Sequence, residues 1–182
     1  MEENASLCFP PVAGPDARLL ILGSLPGVRS LELTQYYGHP RNHFWHLVGG
    51  LIGIDLPALP YEARLDHVKA HGLALWDVVA QAVRPGSLDQ HLRSVQSNDL
   101  EEFIATLPRL RAIAFNGATA SRIGRRQLAS RGESGPGESG SGDSGRGRIT
   151  LIDLPSTSPA NTMALARKAE AWSRLKDYIG AP

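Results

Sequence analysis

Apolar residues in this chain fall into four short, nearly unbroken runs, separated by longer stretches in which they recur every three or four positions. The runs at residues 19–22, 73–79, 112–115 and 149–154 have the length and apolarity of strands buried on both faces. The stretches between them read as helices. Residues 42–49 carry Phe44, Leu47 and Val48, with Leu51 beyond, and Gly49-Gly50 and Gly53 mark the end of that helix. Residues 61–71 place Leu65 and Val68 on one face, with Gly72 where a helix C-cap belongs. Asn98 is placed to cap a helix over residues 99–107, whose first turns are acidic, as the helix dipole prefers. Residues 118–128 form a helix carrying Arg122, Arg125 and Arg126. Ser158 and Pro159 suit the start of the last helix, which buries Leu165, Ala169, Trp172, Leu175 and Ile179. Residues 1–17 are polar and proline-bearing, an extended arm; residues 30–35 read as loop and 85–89 as a turn. Strands alternating with helices predict an α/β fold with three layers, α/β/α, around a central four-stranded parallel sheet.

Composition narrows this picture. A chain of 182 residues with 42% hydrophobic and 20% charged residues is expected to form a single domain over residues 1–182. The exception is a flexible insertion at about 131–148, which holds seven glycines and four serines in eighteen positions and cannot bury enough to order itself. Nineteen basic residues against eighteen acidic ones leave a net charge of +1, so any surface that meets nucleic acid must be local. One cysteine, Cys8, excludes an internal disulfide, a cysteine-ligated iron–sulfur cluster and a cysteine-built zinc site. The acidic start, Glu2-Glu3, is unlike a signal peptide, and no apolar run approaches the ~18 residues of a membrane span. A cytoplasmic monomer, with no membrane or metal partner and no cofactor, is the expectation.

Candidate chemistry gathers at the carboxyl ends of the four expected strands, the edge where ligands sit in open α/β sheets. The loop Gly23-Ser24-Leu25-Pro26-Gly27 follows the first strand, Asp77 lies near the end of the second, Asn116-Gly117 ends the third, and Ser156-Thr157-Ser158 follows the fourth. Between the first loop and the first long helix, residues 35–42 read QYYGHPRN. Two aromatics, an amide, a basic residue and a glycine so close together have the composition of a base-binding pocket. His39, His43 and His46 do not form one helical face, because Pro40 disfavours helix at His39, and no carboxylate lies at ligand spacing. The first loop is not a nucleotide P-loop, since it lacks the closing Gly-Lys-Ser/Thr.

Five stretches, GSLPGVRSL, QYYGHPRNHFW, LALWDVV with RPGSLD, FNG and LPSTSPAN, occur in the order in which they stand in the uracil-DNA glycosylase superfamily. The chain resembles that superfamily over about residues 18–178, and within it the branch of hypoxanthine-DNA glycosylases and mismatch-specific uracil and thymine glycosylases. The resemblance implies the fold of that superfamily. It also implies excision of deaminated bases, hypoxanthine or uracil, from DNA by hydrolysis of the N-glycosidic bond in base excision repair. The base must leave the stack to be reached.

Carried over residue by residue, the resemblance makes Asn42 the catalytic residue, orienting water through directed hydrogen bonds. Mismatch-specific relatives carry an asparagine in the first loop where this chain has Leu25, so the role moves to Asn42. Gly23, Ser24, Leu25, Tyr37, Phe44, Asp77 and Asn116 would contact the base, with Tyr37 stacking on it and Asp77 accepting from a ring N–H. Pro26, Gly27, His39, Arg41, Ser156, Thr157, Ser158, Pro159 and Asn161 would contact DNA, the last five in the loop that grips phosphates and fills the gap left by the flipped nucleotide. Each has a structural alternative: a helix cap for Asn42, a core ring for Tyr37, a partner for Arg84 in the case of Asp77, and a pocket brace or turn residue for Asn116. Tyr36 is expected to pack rather than to bind. No lysine stands in these stretches to form a Schiff base, which implies a monofunctional enzyme. The alternatives are a non-catalytic module that binds lesions in DNA and a hydrolase of free nucleosides.

Overall fold

A computed structural model of the chain describes residues 5–129 and 148–180. The glycine- and serine-rich insertion lies outside the described residues except for Arg148. In chain order the elements are β1 (Ala5–Leu7), β2 (Leu19–Gly23), α1 (Val28–Leu33), α2 (Phe44–Ile52), α3 (Tyr61–Ala70), β3 (Leu73–Asp77) and β4 (Val79–Val83). There follow β5 (Arg93–Ser97), α4 (Leu100–Ala105), β6 (Ala112–Asn116), α5 (Ala118–Ala129), β7 (Thr150–Leu154) and α6 (Leu165–Trp172). A 3-10 segment, Ser173–Tyr178, continues α6. Among the described residues no helix is long and apolar enough to cross a membrane.

The four apolar runs form one parallel sheet in the order β3-β2-β6-β7. Alternation along each strand divides the core into two layers. Leu19, Ile21, Leu73, Leu75, Ala112, Ala114, Ile152 and Leu154 face α2, α3 and Trp172 of α6. Leu20, Leu22, Ala74, Ile113 and Phe115 face α4 and α5. The three-layer architecture thus follows from strands that are apolar on both sides, and it delivers all four strand ends to one edge.

Several boundaries differ from the sequence reading, each for a local reason. The second apolar run is two strands. After Asp77 the chain turns out of the sheet as Val78 N–H donates to Gly23 O at 2.9 Å and Val79 N–H to Ser24 O at 3.1 Å. Val79 then starts β4, the middle strand of a small antiparallel sheet, β1-β4-β5. That sheet was invisible to periodicity because every residue of β5 is exposed. Residues 30–35, expected as loop, instead hold the end of α1 (Val28–Leu33), closed by Thr34 in the left-handed region. Asp99, not Asn98, caps α4, accepting from Glu102 N–H at 2.9 Å, while Asn98 donates to Asp77 O at 2.7 Å. The last helix starts at Leu165 rather than at Ser158-Pro159. Leu165 is exposed, as is Ala169; the buried face is Lys168, Trp172 and Leu175.

Gly49 and Gly50 do not end α2; they lie inside it, and Gly53, at φ 74°, closes it. The two glycines have opposite surroundings. A Cβ at Gly49 would collide with Ile54 O, whereas one at Gly50 would meet nothing within 4 Å. The Ile54 carbonyl has no room to yield, being held by Leu56 N–H at 2.8 Å while Ile54 N–H donates to Gly49 O at 3.0 Å. Gly49→Ala is therefore expected to cost about 1–3 kcal/mol, read as a fall of several degrees in Tm. Gly50→Ala, by contrast, should be neutral or stabilise by up to ~1 kcal/mol through helix propensity. Equal melting temperatures for the two variants would contradict this account of the α2 turn.

Candidate active site

A cavity of about 480 Å³ opens at the carboxyl edge of the parallel sheet. That size suits a small organic ligand. Of the residues singled out from sequence, Gly23, Ser24, Leu25, Pro26, Gly27, Tyr37, His39, Asn42, Asp77, Asn116, Ser156, Thr157, Ser158, Pro159 and Asn161 line it. Arg41 and Phe44 do not. Arg41 is exposed outside the cavity, and Phe44 is fully buried behind Tyr37. The three histidines are also dispersed: His39 is on the wall, while His46 is exposed on α2.

The floor is built by the sheet register. Gly23 pairs with Asp77 across β2 and β3. A Cβ at Gly23 would lie 2.5 Å from Asp77 Oδ1 and 3.2 Å from the Tyr37 hydroxyl, so only glycine lets the two side chains converge there. Asp77 Oδ2 and Tyr37 Oη are both buried without a hydrogen-bond partner. One face of the Tyr37 ring is stacked on Phe44, with centroids 3.6 Å apart and planes at 12°. Tyr37 stands in the left-handed region at φ 55°, a conformation that costs a non-glycine residue energy and needs support. Its neighbours supply it. Tyr36 N–H donates to Tyr61 Oη at 2.9 Å, Trp45 Nε1–H donates to Tyr36 O at 3.2 Å, and Gly38 N–H donates to Ser30 Oγ at 3.0 Å. Tyr36 itself is core, donating its hydroxyl proton toward Phe9 O and Pro10 O.

Asn42 sits where the QYYGHPRN loop meets α2. Its Oδ1 accepts Phe44 N–H at 2.9 Å, which fixes the plane of the amide at the cavity wall. Capping is thus a real part of its job, and it leaves Nδ2 and the second lone pair of Oδ1 for another partner.

With this geometry in view, comparison with known proteins is specific. The family profile described as the uracil DNA glycosylase superfamily matches residues 10–176. The chain belongs to the uracil DNA glycosylase superfamily. It is 41% identical over 109 residues to the hypoxanthine DNA glycosylase of Methanosarcina barkeri, covering 60% of this chain and 69% of that protein. It is 42% identical over 112 residues to the hypoxanthine DNA glycosylase of Methanosarcina acetivorans, covering 62% and 71%. The solution NMR structure of a candidate uracil DNA glycosylase from Methanosarcina acetivorans superposes with a TM-score of 0.78 at 32% identity, over 95% of this chain and 97% of that one. The chain is accordingly a DNA glycosylase, an enzyme of the class that acts on deaminated bases in DNA.

In this glycosylase the loop after β7 is held from below. Asn116 Nδ2 donates to Thr157 Oγ1 and Thr157 N–H donates to Asn116 Oδ1, both at 2.9 Å. His43 N–H donates to Thr157 O at 3.1 Å. Both ends of the Asn116 amide are thereby used on the loop, which makes it a brace. Ser158 and Ser156 stabilise turns, accepting from Ala160 N–H and Ser158 N–H.

Sequence reasoning missed two supports. Lys168 is 0% exposed, and its Nζ donates to Asn161 O at 2.9 Å, anchoring the far end of the same loop. Burial pulls its pKa below the ordinary lysine range. The available signal was spacing: Lys168, Trp172 and Leu175 lie at helical intervals, so the lysine occupies a core-facing position. The second support is Arg84. It does not pair with Asp77; it reaches Asp89 at 3.3 Å and donates to Leu25 O and Pro26 O, holding the first loop.

Burial pushes the Asp77 carboxyl up to about 7, with a further push from the Asp89 carboxylate and an opposing pull from Arg84. The unfolded chain would release this proton in the ordinary carboxylate range, whereas the folded chain keeps it to about 7. The folded state binds the extra proton between those limits, so stability falls as pH rises through that window, and the loss is complete above it. Asp77→Asn cannot ionise. Its Tm relative to wild type is expected to become more favourable from about pH 5 to about pH 8 in thermal melts. A difference that does not change with pH would mean that Asp77 ionises normally.

Proposed function

We propose that this chain is a monofunctional hypoxanthine-DNA glycosylase, and that Asp77, Tyr37 and Asn42 carry the reaction. The observation that carries the reaction is Asp77: a buried carboxyl, its pKa pushed by burial up to about 7, with an unpartnered oxygen on the cavity floor. A neutral carboxylic acid has one donor and one acceptor side by side. That pair matches the N1–H and O6 of hypoxanthine, the acid accepting from N1–H and donating to O6. An ionised carboxylate could only accept, and would repel the charge that grows on the departing base. A carboxylic acid kept neutral by an apolar site so that it can donate to a developing anion is an established catalytic device. Uracil offers the same pair through N3–H and O4, so the choice of hypoxanthine rests on the curated relatives named above, hypoxanthine DNA glycosylases by name.

In this reading the flipped nucleotide places its base against the Tyr37 ring, a stack worth roughly 1–3 kcal/mol. The Phe44 ring behind Tyr37 keeps it from moving aside. As the C1′–N9 bond lengthens, its electron pair passes to the base, and the Asp77 O–H strengthens its bond to O6 as charge builds there. Asn42 orients a water toward C1′. The amide is too weak a base to take a proton in the ground state, so it acts by direction, and after attack on the oxocarbenium-like sugar the water proton passes through solvent to the departing base, which leaves as the neutral species. The water oxygen bonds to C1′, the base departs, and an abasic site remains. No lysine lines the cavity among the described residues, and Lys168 Nζ is committed to Asn161 O, so water is the nucleophile rather than an amine. The hydroxyl protons of Ser156 and Ser158 and the Asn161 Nδ2 group serve as phosphate contacts, the backbone N–H groups of Thr157, Ser158, Ala160 and Asn161 being used within the loop and on Asn116.

The test is excision from matched oligonucleotides carrying inosine, uracil, xanthine or mismatched thymine, read as strand breakage after alkali. Inosine is expected to be cleaved fastest. Breakage without alkali would contradict the monofunctional assignment, and uracil well ahead of inosine would contradict the base choice. Asn42→Ala should lower the single-turnover rate on inosine by about a hundredfold or more. The same variant should change DNA affinity by less than about threefold, because the amide makes only a directed contact at the reacting centre. An unchanged rate would return Asn42 to the role of a cap alone.

A further inference from the structure

Two basic side chains are buried beneath this edge, and only one of them is compensated. Arg84 has the Asp89 carboxylate at 3.3 Å. Lys168 is 0% exposed and pairs with no carboxylate among the described residues. Its Nζ donates to Asn161 O at 2.9 Å, which uses one of its three N–H donors. The other two have no acceptor among the described residues. His43, the titratable group that the ammonium pushes toward its neutral form, brings no negative charge. Buried charges are paired as a rule, because taking an ion out of water is costly. A buried lysine without a counter-ion calls for an anion from outside the chain.

The backbone around it is arranged to receive one. Lys168 lies one turn into α6, a helix that opens with no side-chain cap and no acidic residue in its first turn. Arg167 adds a second cation there, the reverse of what a helix dipole prefers. Ala164, at the N-cap, has the extended backbone of a capping residue, φ −56° and ψ 143°, but only a methyl group where an oxygen usually stands. The N–H groups of Leu165, Ala166 and Arg167 are therefore open, and all three residues are exposed. Just before them, Asn161 O points inward to the ammonium. A trans peptide holds its carbonyl and its N–H on opposite sides, so the exposed Thr162 turns its N–H away from Lys168. That N–H has no acceptor among the described residues. An ammonium on the carbonyl also polarises the peptide and strengthens its N–H as a donor. A missing cap, a missing acid and an unpaired ammonium thus coincide at one turn, and a single anion would relieve all three.

We infer that Lys168 is a positioning residue for DNA, its buried ammonium making the turn at residues 162–167 the seat of a strand phosphate. It acts through the Asn161–Thr162 peptide and does not touch the strand. This rests on the reading of the loop after β7 as the side that holds phosphate.

The experiment measures affinity for undamaged duplex by fluorescence anisotropy between about 50 and 200 mM salt. It compares wild type, Lys168→Met, Lys168→Gln, Ala164→Asp and Ala164→Asn. Lys168→Gln keeps a donor for Asn161 O and loses the charge, which separates the ammonium from the anchor. Both Lys168 variants should bind about fivefold more weakly at the lowest salt, and the slope of log Kd against log salt should flatten by about 0.9, the share of one phosphate. Their single-turnover rates on inosine at saturating enzyme should stay within about threefold, because the phosphate contact is made equally in the ground and transition states. Lys168→Gln should not melt below wild type, since it removes an uncompensated buried charge. Ala164→Asp supplies an anion from within the chain, so it should raise Tm by a few degrees and weaken DNA as the Lys168 variants do. Ala164→Asn should raise Tm and leave binding unchanged. An unchanged slope in Lys168→Gln, or Ala164→Asn weakening DNA as much as Ala164→Asp, would overturn the assignment, and the Ala164 pair decides it should the Lys168 variants fail to fold. Anisotropy is read without excision. Flattened slopes in a protein that excises nothing would keep Lys168 and reject the glycosylase reading, and excision with unchanged slopes would do the reverse.

Discussion

The pairing of Gly23 with Asp77 across β2 and β3 is the contact on which the pocket depends, because it puts a buried carboxyl where no side chain can stand opposite it. A methyl group at position 23 would meet Asp77 Oδ1 at 2.5 Å, forcing the carboxyl aside, and would press on the Tyr37 hydroxyl at 3.2 Å. The register that creates this meeting is fixed by hydrophobic alternation over the whole strand. A slip of one residue would exchange the Leu20–Leu22 and Leu19–Ile21 faces between the two helical layers. The core thus sets the position of the buried carboxyl on the cavity floor to within one residue, and no loop has to find it.

Much of this was legible beforehand. The four strands and their parallel direction follow from apolar runs such as residues 19–22 and 112–115, which are too continuous for a sheet with a wet face. The edge at which polar residues gather follows from the same topology. What escaped notice had no hydrophobic signature. β5, RSVQS, owes its strand character to pairing with β4 and has all five residues exposed. α1 is six residues long and depends on its neighbours, for instance on Ser30, whose hydroxyl accepts Gly38 N–H. Gly49 resembled a stop signal because composition alone cannot separate a glycine that ends a helix from one that admits a neighbouring carbonyl.

The candidate site divides along the same line. Residue types could be read from the chain, but the side-chain partners that assign work among them could not. Asn116 and Asp77 both stand at strand ends with polar side chains, yet Asn116 has both ends of its amide on Thr157 and Asp77 keeps one oxygen free. Phe44 and Tyr37 are both aromatic and close in sequence, and the backbone turn at Tyr37 decides which ring stands in front. Lys168 was hidden for a different reason. Its position on α6 is a core position, and a buried lysine is rare enough that a smooth apolar face was the better guess.

Where the structure leaves polar atoms unsatisfied bears on how stability and function are balanced. Four buried side-chain atoms lack a partner among the described residues: Tyr37 Oη, Asp77 Oδ2, His43 Nδ1 and Arg84 Nε. Each such orphan costs a fold roughly 1–3 kcal/mol. They are not scattered. Two lie on the pocket floor, Arg84 lies beneath the first loop, and His43 lies beside the loop after β7, where burial and the Lys168 ammonium lower its pKa. Several neighbours at this edge are tied down: Asn116 to Thr157, Asn42 Oδ1 to Phe44, Lys168 to Asn161. A rigid rim around a few unsatisfied atoms is what a site needs if its affinity is to come from partners that the ligand alone supplies, since a flexible rim would let those atoms find partners within the protein. The same arrangement accounts for the double role of Asn42. A cap holds the amide plane still, and an amide held still can direct a water with the hydrogen-bonding capacity that the cap leaves unused.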